Sequence, residues 1–350
     1  MKTNKDIAML LVGLVGNAAA WASGSIPPAA PGPIEVPFLA PRTSVPEPSY
    51  AKRSGQFALF NGVNALRQKL GVGLLAQDAA LDTAAQAHAV YLSAHSVAQH
   101  DQSADSLHFY ETTPLLRARK AGVGDTQWVA EVVGAARGPD DSEIGIGCID
   151  QWYHTVYHLQ SLVTNQESMG IGFSHTGALG LNHCVVDFGT STATQPGPTS
   201  NGVPYGGGQQ IEAEMVVTVP ADGDTDVQPG FNFAGESPNP APDLLTPGRP
   251  LMIYANGALA EVLSVTAFKL ADSNGAEVAA RVLVSPAAKV DGSDGVADEY
   301  LRNNAAFLVP LAPLADRETY TASFSGTRAG KPVSISWSFR TATPATSAFR

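Results

Sequence analysis

The spacing of the hydrophobic residues changes along the chain, and this change constrains the fold more than any other feature. Early in the chain, Phe60, Val63 and Leu66 follow each other in steps of three, which places them on one face of a helix. Near the C-terminus every second residue from Val333 to Phe339 is hydrophobic, the spacing of a strand with one buried face. The sequence therefore predicts an α+β part that ends near Gly189, followed by an all-β part.

Three further segments of the first part have helical patterns. A second helix is predicted from about Gln77, with Asp78 as its N-cap, and a short helix is predicted over 114–121. A longer helix is predicted over 148–163, because its apolar residues again step by three and four. Strands are predicted over 128–133, 169–173 and 181–188.

The rest of the chain consists of short alternating segments separated by turn residues. These segments are 262–270, 278–284, 320–324 and 333–339. Such a pattern predicts a β-sandwich. The run 307–313, followed by Tyr320 and by Trp337-Ser338-Phe339, resembles bacterial Ig-like domains. This resemblance implies an Ig-like spacer or adhesion module.

The N-terminus has the pattern of an export signal. Lys2 and Lys5 precede an apolar run over 7–20, which is followed by small residues of the kind a signal peptidase recognises. We expect a signal peptide over 1–23 and an extended Pro-rich linker over 24–54. No later stretch is long and apolar enough to predict a transmembrane span. The sequence thus indicates a periplasmic or extracellular protein.

These patterns give the expected domain organisation. An α+β domain is predicted over 55–190, a Gly-, Pro-, Ser- and Thr-rich linker over 191–210, a β-sandwich domain over 211–342 and a short tail over 343–350. The formal net charge of −11, from 21 Lys and Arg against 32 Asp and Glu, comes without a basic stripe and disfavours nucleic acid as a partner.

The chain contains two cysteines, Cys148 and Cys184. In an oxidising compartment such a pair predicts a disulfide, which would contribute about 3 to 4 kcal/mol in the chain-entropy model. The alternative is that both are buried free thiols.

Known catalytic motifs are absent from the sequence. His154 and His158 are four positions apart, a spacing that can present two imidazoles to one metal on a helix. However, the segment lacks the Glu of the zinc-protease His-Glu-x-x-His motif. The Ser174 segment lacks the second glycine of a nucleophile elbow.

Several motifs in the first part, in the same order, resemble the CAP superfamily of SCP-like extracellular domains. The matching pieces are Asn64-x-x-Arg67, Leu81 to Leu92, Gln99-His100-Asp101, Thr113-Pro114, Arg117 to Gly122, Ala130-Glu131-Val132, Trp152 to His158, Gly170-Ile171-Gly172 and Asp187-Phe188-Gly189. The resemblance implies a three-layer α-β-α sandwich.

The resemblance also implies a cavity lined by His and acidic residues. His100, Glu131 and His158 match the family's positions, so they form the expected ligand cleft. The chain departs from the family at Ala130-Glu131-Val132, where Gly-Glu-Asn is usual, and at His154-Thr155, where the animal proteins carry a second Glu. His183 lies near the strand that carries the last histidine of the family.

Three functional hypotheses follow for this cleft. The first is a binding module for a small molecule, a metal or a cell-envelope component. The second is a metal-dependent, peptidase-like hydrolase, with zinc held by His100 and His158 and with Glu131 as general base. In the third, the histidines only form a buried hydrogen-bonded network that stabilises the fold. The absence of a nucleophile favours a binding or structural role over catalysis.

Overall fold

The structure is a computed structural model that describes residues 39–175, 180–192, 207–212, 214–230, 236–255 and 262–343. All of these residues belong to one compact unit, Val36–Arg350. The described residues do not include the signal peptide predicted over 1–23, residues 24–38 and 193–206 of the two predicted linkers, or residues 344–350 of the tail.

The first part of the chain contains five helices and four strands within the described ranges. In chain order they are α1 (Gly55–Lys69), β1 (Ala76–Gln77), α2 (Ala79–His95), α3 (Pro114–Lys120), β2 (Trp128–Ala136), α4 (Asp141–Tyr153), α5 (Tyr157–Val163), β3 (Ser168–Ser174) and β4 (Asn182–Thr190). The strand order is β1-β3-β4-β2. Strand β1 runs parallel to β3, and the other neighbours are antiparallel.

Side chains at the helix starts explain where the helices begin. The Asp78 carboxylate accepts the backbone N–H groups of Ala80 and Leu81, which confirms the predicted N-cap of α2. Thr113 caps α3 in the same way by accepting the N–H of Leu116. These polar residues satisfy backbone donors that have no partner inside the helix.

Helices pack on both faces of this sheet. On strand β2, Val129 and Val133 belong to hydrophobic clusters with α2 and α3. The alternate residues Ala130 and Val132 belong to the cluster that contains α1, α4 and α5. Because successive side chains of a strand point to opposite faces, Glu131 lies on the face of α2 and α3.

The helix predicted over 148–163 is two helices, so this prediction was wrong in its extent. Helix α4 ends at Tyr153 and α5 begins at Tyr157. The cause is Glu236, whose carboxylate accepts the backbone N–H groups of Val156, Tyr157 and His158 at 2.8, 2.6 and 3.1 Å. A carboxylate at this point replaces the intrahelical partners that a continuous helix would supply.

Eight strands form two sheets in the described second part. They are β5 (Val217–Val219), β6 (Leu251–Tyr254), β7 (Leu263–Ala271), β8 (Ala280–Val284), β9 (Gly295–Ala297), β10 (Ala305–Pro310), β11 (Thr319–Arg328) and β12 (Lys331–Arg340). One sheet has the order β5-β6-β10-β8-β9 and the other β12-β11-β7. The prediction that strands dominate this part is confirmed.

The five-stranded sheet is buried on both faces. Leu251 and Ile253 of β6 pack in a cluster with β7, β11 and β12 of the other sheet. Met252 and Tyr254 pack instead in the cluster that includes α1, α4 and α5. One sheet therefore contributes to two hydrophobic cores, one of which it shares with the first part of the chain.

Polar contacts reinforce this shared core. The Tyr157 hydroxyl donates to Asp298 at 2.8 Å. The Gln160 side chain donates to the carbonyl of Tyr300 at 3.2 Å and accepts the N–H of Arg302 at 2.8 Å. Helix α5 is thus held by hydrogen bonds as well as by apolar contacts.

The predicted disulfide between Cys148 and Cys184 is confirmed. It joins α4 to β4, and both residues are fully buried. The bond therefore fixes a helix of one layer to the central sheet. Among the described residues, no helix is both long and apolar enough to cross a membrane.

The Glu236 contact yields a stability prediction. Its side chain is only 1% exposed, so Glu236→Ala leaves three backbone N–H groups without their charged acceptor. We expect the free energy of unfolding to fall by about 3 kcal/mol, and by less in Glu236→Gln, which keeps one acceptor oxygen. Urea unfolding measures both. The exposed Glu299→Ala is the control, and an equally small effect at both positions would contradict this role of Glu236.

Candidate functional site

The candidate site is built around Glu131 on strand β2. The antiparallel register places Asp187 of β4 directly opposite, so the two side chains share the face of α2 and α3. The Glu131 side chain is 1% exposed and Asp187 is fully buried. A charged carboxylate in such surroundings requires close partners.

Glu131 has these partners. The Arg117 guanidinium of α3 donates to Oε2 at 2.7 Å, and the His100 ring lies with Nδ1 2.8 Å from Oε1. The His88 ring of α2 is 3.7 Å from Oε1. Both carboxylate oxygens are therefore engaged by side chains, and only His100, whose side chain is 45% exposed, reaches the surface.

His88 is a buried part of the same network. Its Nε2 lies 2.9 Å from the carbonyl oxygen of Gln99, and its Nδ1 lies 2.9 Å from Nε2 of Gln102. This arrangement fits a neutral imidazole that donates through Nε2 and accepts through Nδ1. Burial lowers the pKa of His88, which favours the same neutral form.

The network also holds the loop 100–113 in place. Arg117 donates to the carbonyl oxygens of His100 at 2.9 Å, Thr112 at 3.2 Å and Glu111 at 3.4 Å. The Gln102 side chain accepts the N–H of Tyr110 at 2.7 Å. Arg117 therefore connects the buried carboxylate to both ends of this loop.

The charges of the network shift its pKa values in opposite directions. Burial alone would raise the pKa of Glu131, but the charge of Arg117 and the hydrogen bond and charge of His100 outweigh burial and hold this pKa well below its usual range. For His100, partial burial opposes protonation, yet the hydrogen bond to Glu131 and its charge raise the pKa. A carboxylate with a lowered pKa is a weak general base.

Asp187, unlike Glu131, has no positively charged side chain bonded to its carboxyl group in the described part of the chain. Neither of its carboxylate oxygens has a hydrogen-bond partner among the residues that the structure describes. Burial and the nearby charge of Glu131 raise the pKa of Asp187 well above its usual value. The raised pKa favours the protonated form of Asp187 beside the ionised carboxylate of Glu131.

The structure does not bring His158 to this network. His158 is in α5, which packs on the opposite face of the sheet. Its Nδ1 lies 3.2 Å from the Glu236 carboxylate and 3.2 Å from the Thr155 hydroxyl. The three residues expected to line one cleft are thus divided, because the alternation of β2 turns Glu131 away from α5.

The other histidines considered from sequence also lie apart. His183 of β4 contacts the Ser93 hydroxyl at 3.0 Å. His154 follows the last residue of α4, and burial together with Arg249 lowers its pKa to about 3. The helix break therefore removes the spacing that would direct His154 and His158 to one metal.

The residues do not fit the zinc site that the hydrolase hypothesis requires. His100 and His158 lie on opposite faces of the sheet, so they cannot ligate one ion. Within the described ranges, no group of three or more His, Cys, Asp or Glu side chains is arranged to hold a metal.

An open groove with a volume of about 580 Å³ lies beside α2. It is lined by residues of α2 and β3, by the segment before α1 and by the loop 100–113, among them Tyr50, Asp82, Gln86, Phe109 and Tyr110. The loop that Arg117 holds therefore forms one wall of the groove.

Side chains of α2 cover the edge of the sheet at this groove. Asp82 accepts the N–H of Ile171 at 2.8 Å, and Gln86 both accepts the N–H and donates to the carbonyl of Phe173. Asp82 also accepts a hydrogen bond from the Tyr50 hydroxyl. Strand β1 pairs only with Ser168 and Met169 of β3. The rest of this edge of β3, at Ile171 and Phe173, is thereby satisfied without a neighbouring strand.

Sequence reasoning missed Arg117, Gln102 and Asp187. Arg117 and Asp187 lie in segments that match family motifs, and a fully buried arginine is a signal only once its burial is known. The positions of all three depend on long-range packing, which local periodicity does not reveal.

Comparison with known proteins agrees with the first part of the chain. Residues 60–188 match the model of the cysteine-rich secretory protein family, CAP. The matched residues lie in the part of the chain whose motifs resemble the same family. No curated protein matches the chain.

One similar solved structure is a 1.5 Å crystal structure of an extracellular protein containing a SCP domain from Bacillus anthracis str. Ames. The identity is 18%, the TM-score is 0.31, and the match covers 38% of this chain and 39% of that one. The chain thus spans about two fifths of the length of that protein.

The state of Asp187 can be tested by an isosteric change. A group whose pKa is raised by folding loses stability as the pH rises through that pKa. We expect Asp187→Asn to increase the free energy of unfolding by about 1 to 2 kcal/mol near pH 8. Near pH 4 we expect the same substitution to leave the free energy of unfolding almost unchanged. Asp125→Asn, at an exposed carboxylate, controls for charge. A large loss of stability at every pH would instead identify Asp187 as an ionised partner of Arg117.

The His100–Glu131 pair predicts a second pH dependence. Because folding raises the pKa of His100, its contribution is complete below about pH 6.5 and is lost as the pH rises through the raised value. At this partly exposed position we expect His100→Ala to cost about 1 kcal/mol near pH 6 and less near pH 9. Chemical unfolding at both pH values gives the difference, and a cost that grows with pH would refute the pairing.

Proposed function

We propose that the first part of the chain, which contains residues 60–188, forms a non-catalytic binding domain. In this proposal the network of Glu131, Arg117, His88 and Gln102, here called the Glu131 network, holds the loop 100–113 against α2. The ligand binds in the groove of which this loop is one wall. The observation that carries the proposal is that Arg117 bonds both to Glu131 and to three carbonyl oxygens of the loop.

The chemistry of Glu131 supports binding rather than hydrolysis. A general base must be free to accept a proton from substrate or water. Here both oxygens of Glu131 are occupied, its side chain is 1% exposed, and its pKa is lowered. The network thus supplies rigidity, which a binding surface requires.

The size and lining of the groove also support this proposal. Ligand pockets typically have volumes of about 300 to 1,000 Å³ and combine aromatic walls with a few polar groups. The groove, at about 580 Å³, is within that range and has Phe109 and Tyr110 beside Gln86. The ligand is a small molecule or a component of the cell envelope.

We further propose that the protein is secreted, with residues 1–23 as its signal peptide. The SCP-domain protein from Bacillus anthracis is described as extracellular, and the Cys148–Cys184 disulfide suits an oxidising compartment. The C-terminal strands would form an Ig-like module. Since one face of their five-stranded sheet packs on the CAP domain, this module would act as a rigid support.

Two variants separate binding from hydrolysis. Wild-type protein, His100→Ala and Gln102→Ala are assayed for turnover of peptide and ester substrates, and for thermal shifts with oligosaccharides, fatty acids and peptides. We expect no turnover. We expect one ligand class to raise the melting temperature of the wild type, and Gln102→Ala to weaken that effect because the loop loses its bond to Tyr110.

His100→Ala is the more informative test of hydrolase activity, because a surface histidine can be removed without unfolding the protein. Turnover by the wild type that is lost in His100→Ala would overturn the proposal. The circular dichroism spectrum shows whether Gln102→Ala is folded. If the folded variant binds the ligand with unchanged affinity, the binding site lies outside the groove.

A further inference from the structure

The groove offers polar side chains that the protein itself does not fully use. Tyr110, His108 and Gln56 line the groove. The Tyr110 hydroxyl, the His108 ring and the Gln56 amide oxygen make no hydrogen bond within the described part of the chain. The Thr83 hydroxyl donates to Ala79 at 3.0 Å and keeps its acceptor capacity. Donors and acceptors are thus both present, as a ligand rich in hydroxyl groups requires.

The charged groups of the groove are already satisfied. Asp82 accepts from Ile171 and Tyr50 through one oxygen and from Gln77, at 2.6 Å, through the other. Burial raises the pKa of Asp82, which weakens its charge further. Lys120, which is not a lining residue, lies 4.6 Å from the centre of the Tyr110 ring and donates to the Tyr110 carbonyl. The lining therefore presents no uncompensated carboxylate to a cation.

The arrangement of the lining residues also disfavours two uncharged classes of ligand, a peptide bound as an added strand and a purely apolar chain. The edge of β3 is covered by Asp82 and Gln86, so a peptide cannot add to the sheet as a further strand. A purely apolar chain would leave the polar atoms of Gln56 and Thr83 desolvated without partners, which costs free energy. Phe109 supplies an apolar ring that can pack on the C–H face of a sugar.

From these groups we propose that the groove binds a neutral carbohydrate chain. The inference rests on the proposed binding function of the same groove and specifies its ligand class. Ring hydroxyls of the sugar bond to Tyr110, Gln56 and Thr83, while one sugar face packs on Phe109. The net charge of the protein is −11, which repels acidic saccharides and therefore favours neutral ones.

Two substitutions test this class of ligand by calorimetry with neutral glucose, mannose and N-acetylglucosamine oligosaccharides. Phe109→Ala removes the apolar ring, and we expect at least about a tenfold loss of affinity. Thr83→Val keeps the shape of the side chain but removes its hydroxyl, and we expect a loss of about threefold to tenfold. Leu245→Ala, at a 97% exposed apolar residue in the second part, is the control and should bind as the wild type does.

The outcomes distinguish the ligand class from the binding function. Neutral oligosaccharides that bind and are weakened by both substitutions support the inference. A fatty acid or peptide weakened by Phe109→Ala but not by Thr83→Val would overturn the carbohydrate class and leave the binding function standing. Equal affinity for uronic acid oligosaccharides would overturn the neutral class. If no probe of any class binds the folded wild type, both proposals are rejected.

Discussion

The cost of burying a carboxylate determines where the irregular segments of this structure lie. Glu131 and Glu236 are both almost fully buried, and an ionised group in such a place must be fully hydrogen-bonded. Glu131 meets this requirement with Arg117, which then has donors left for the loop 100–113. Glu236 meets it with three backbone N–H groups, and these groups are free only because the helix is broken before Tyr157.

The two carboxylates serve opposite faces of the same sheet. On the face of α2 and α3, Glu131 organises a loop and, through it, the wall of a groove. On the face of α1, α4 and α5, Glu236 joins the second part of the chain to the first. This division explains why His100 and His158, which family motifs assign to one cleft, have different acidic partners.

The sequence predicted the parts of the fold that depend on local pattern. Helices α1 to α3, the N-cap Asp78 and the longer strands were recognisable because their signals lie within a few residues. The short strands β1, β5, β6 and β9 were not predicted. The helix break at 154–156 was not recognisable, since its cause is Glu236, which lies about 80 positions away in the sequence. Likewise, His100 and Glu131 were found by resemblance, whereas Arg117 and Asp187 acquire their roles only through the register of β2 and β4.

The five-stranded sheet has a consequence for how the second part can function. Its residues Met252, Tyr254 and Phe307 are buried against the first part of the chain rather than against the other sheet. Exposing each such side chain costs about 1.5 to 3 kcal/mol, so separating the two parts would cost a large share of the 5 to 15 kcal/mol that typically stabilises a protein. A mobile spacer would need a small polar interface. The apolar interface favours a fixed support, which keeps α5 and the sheet in place beneath the groove.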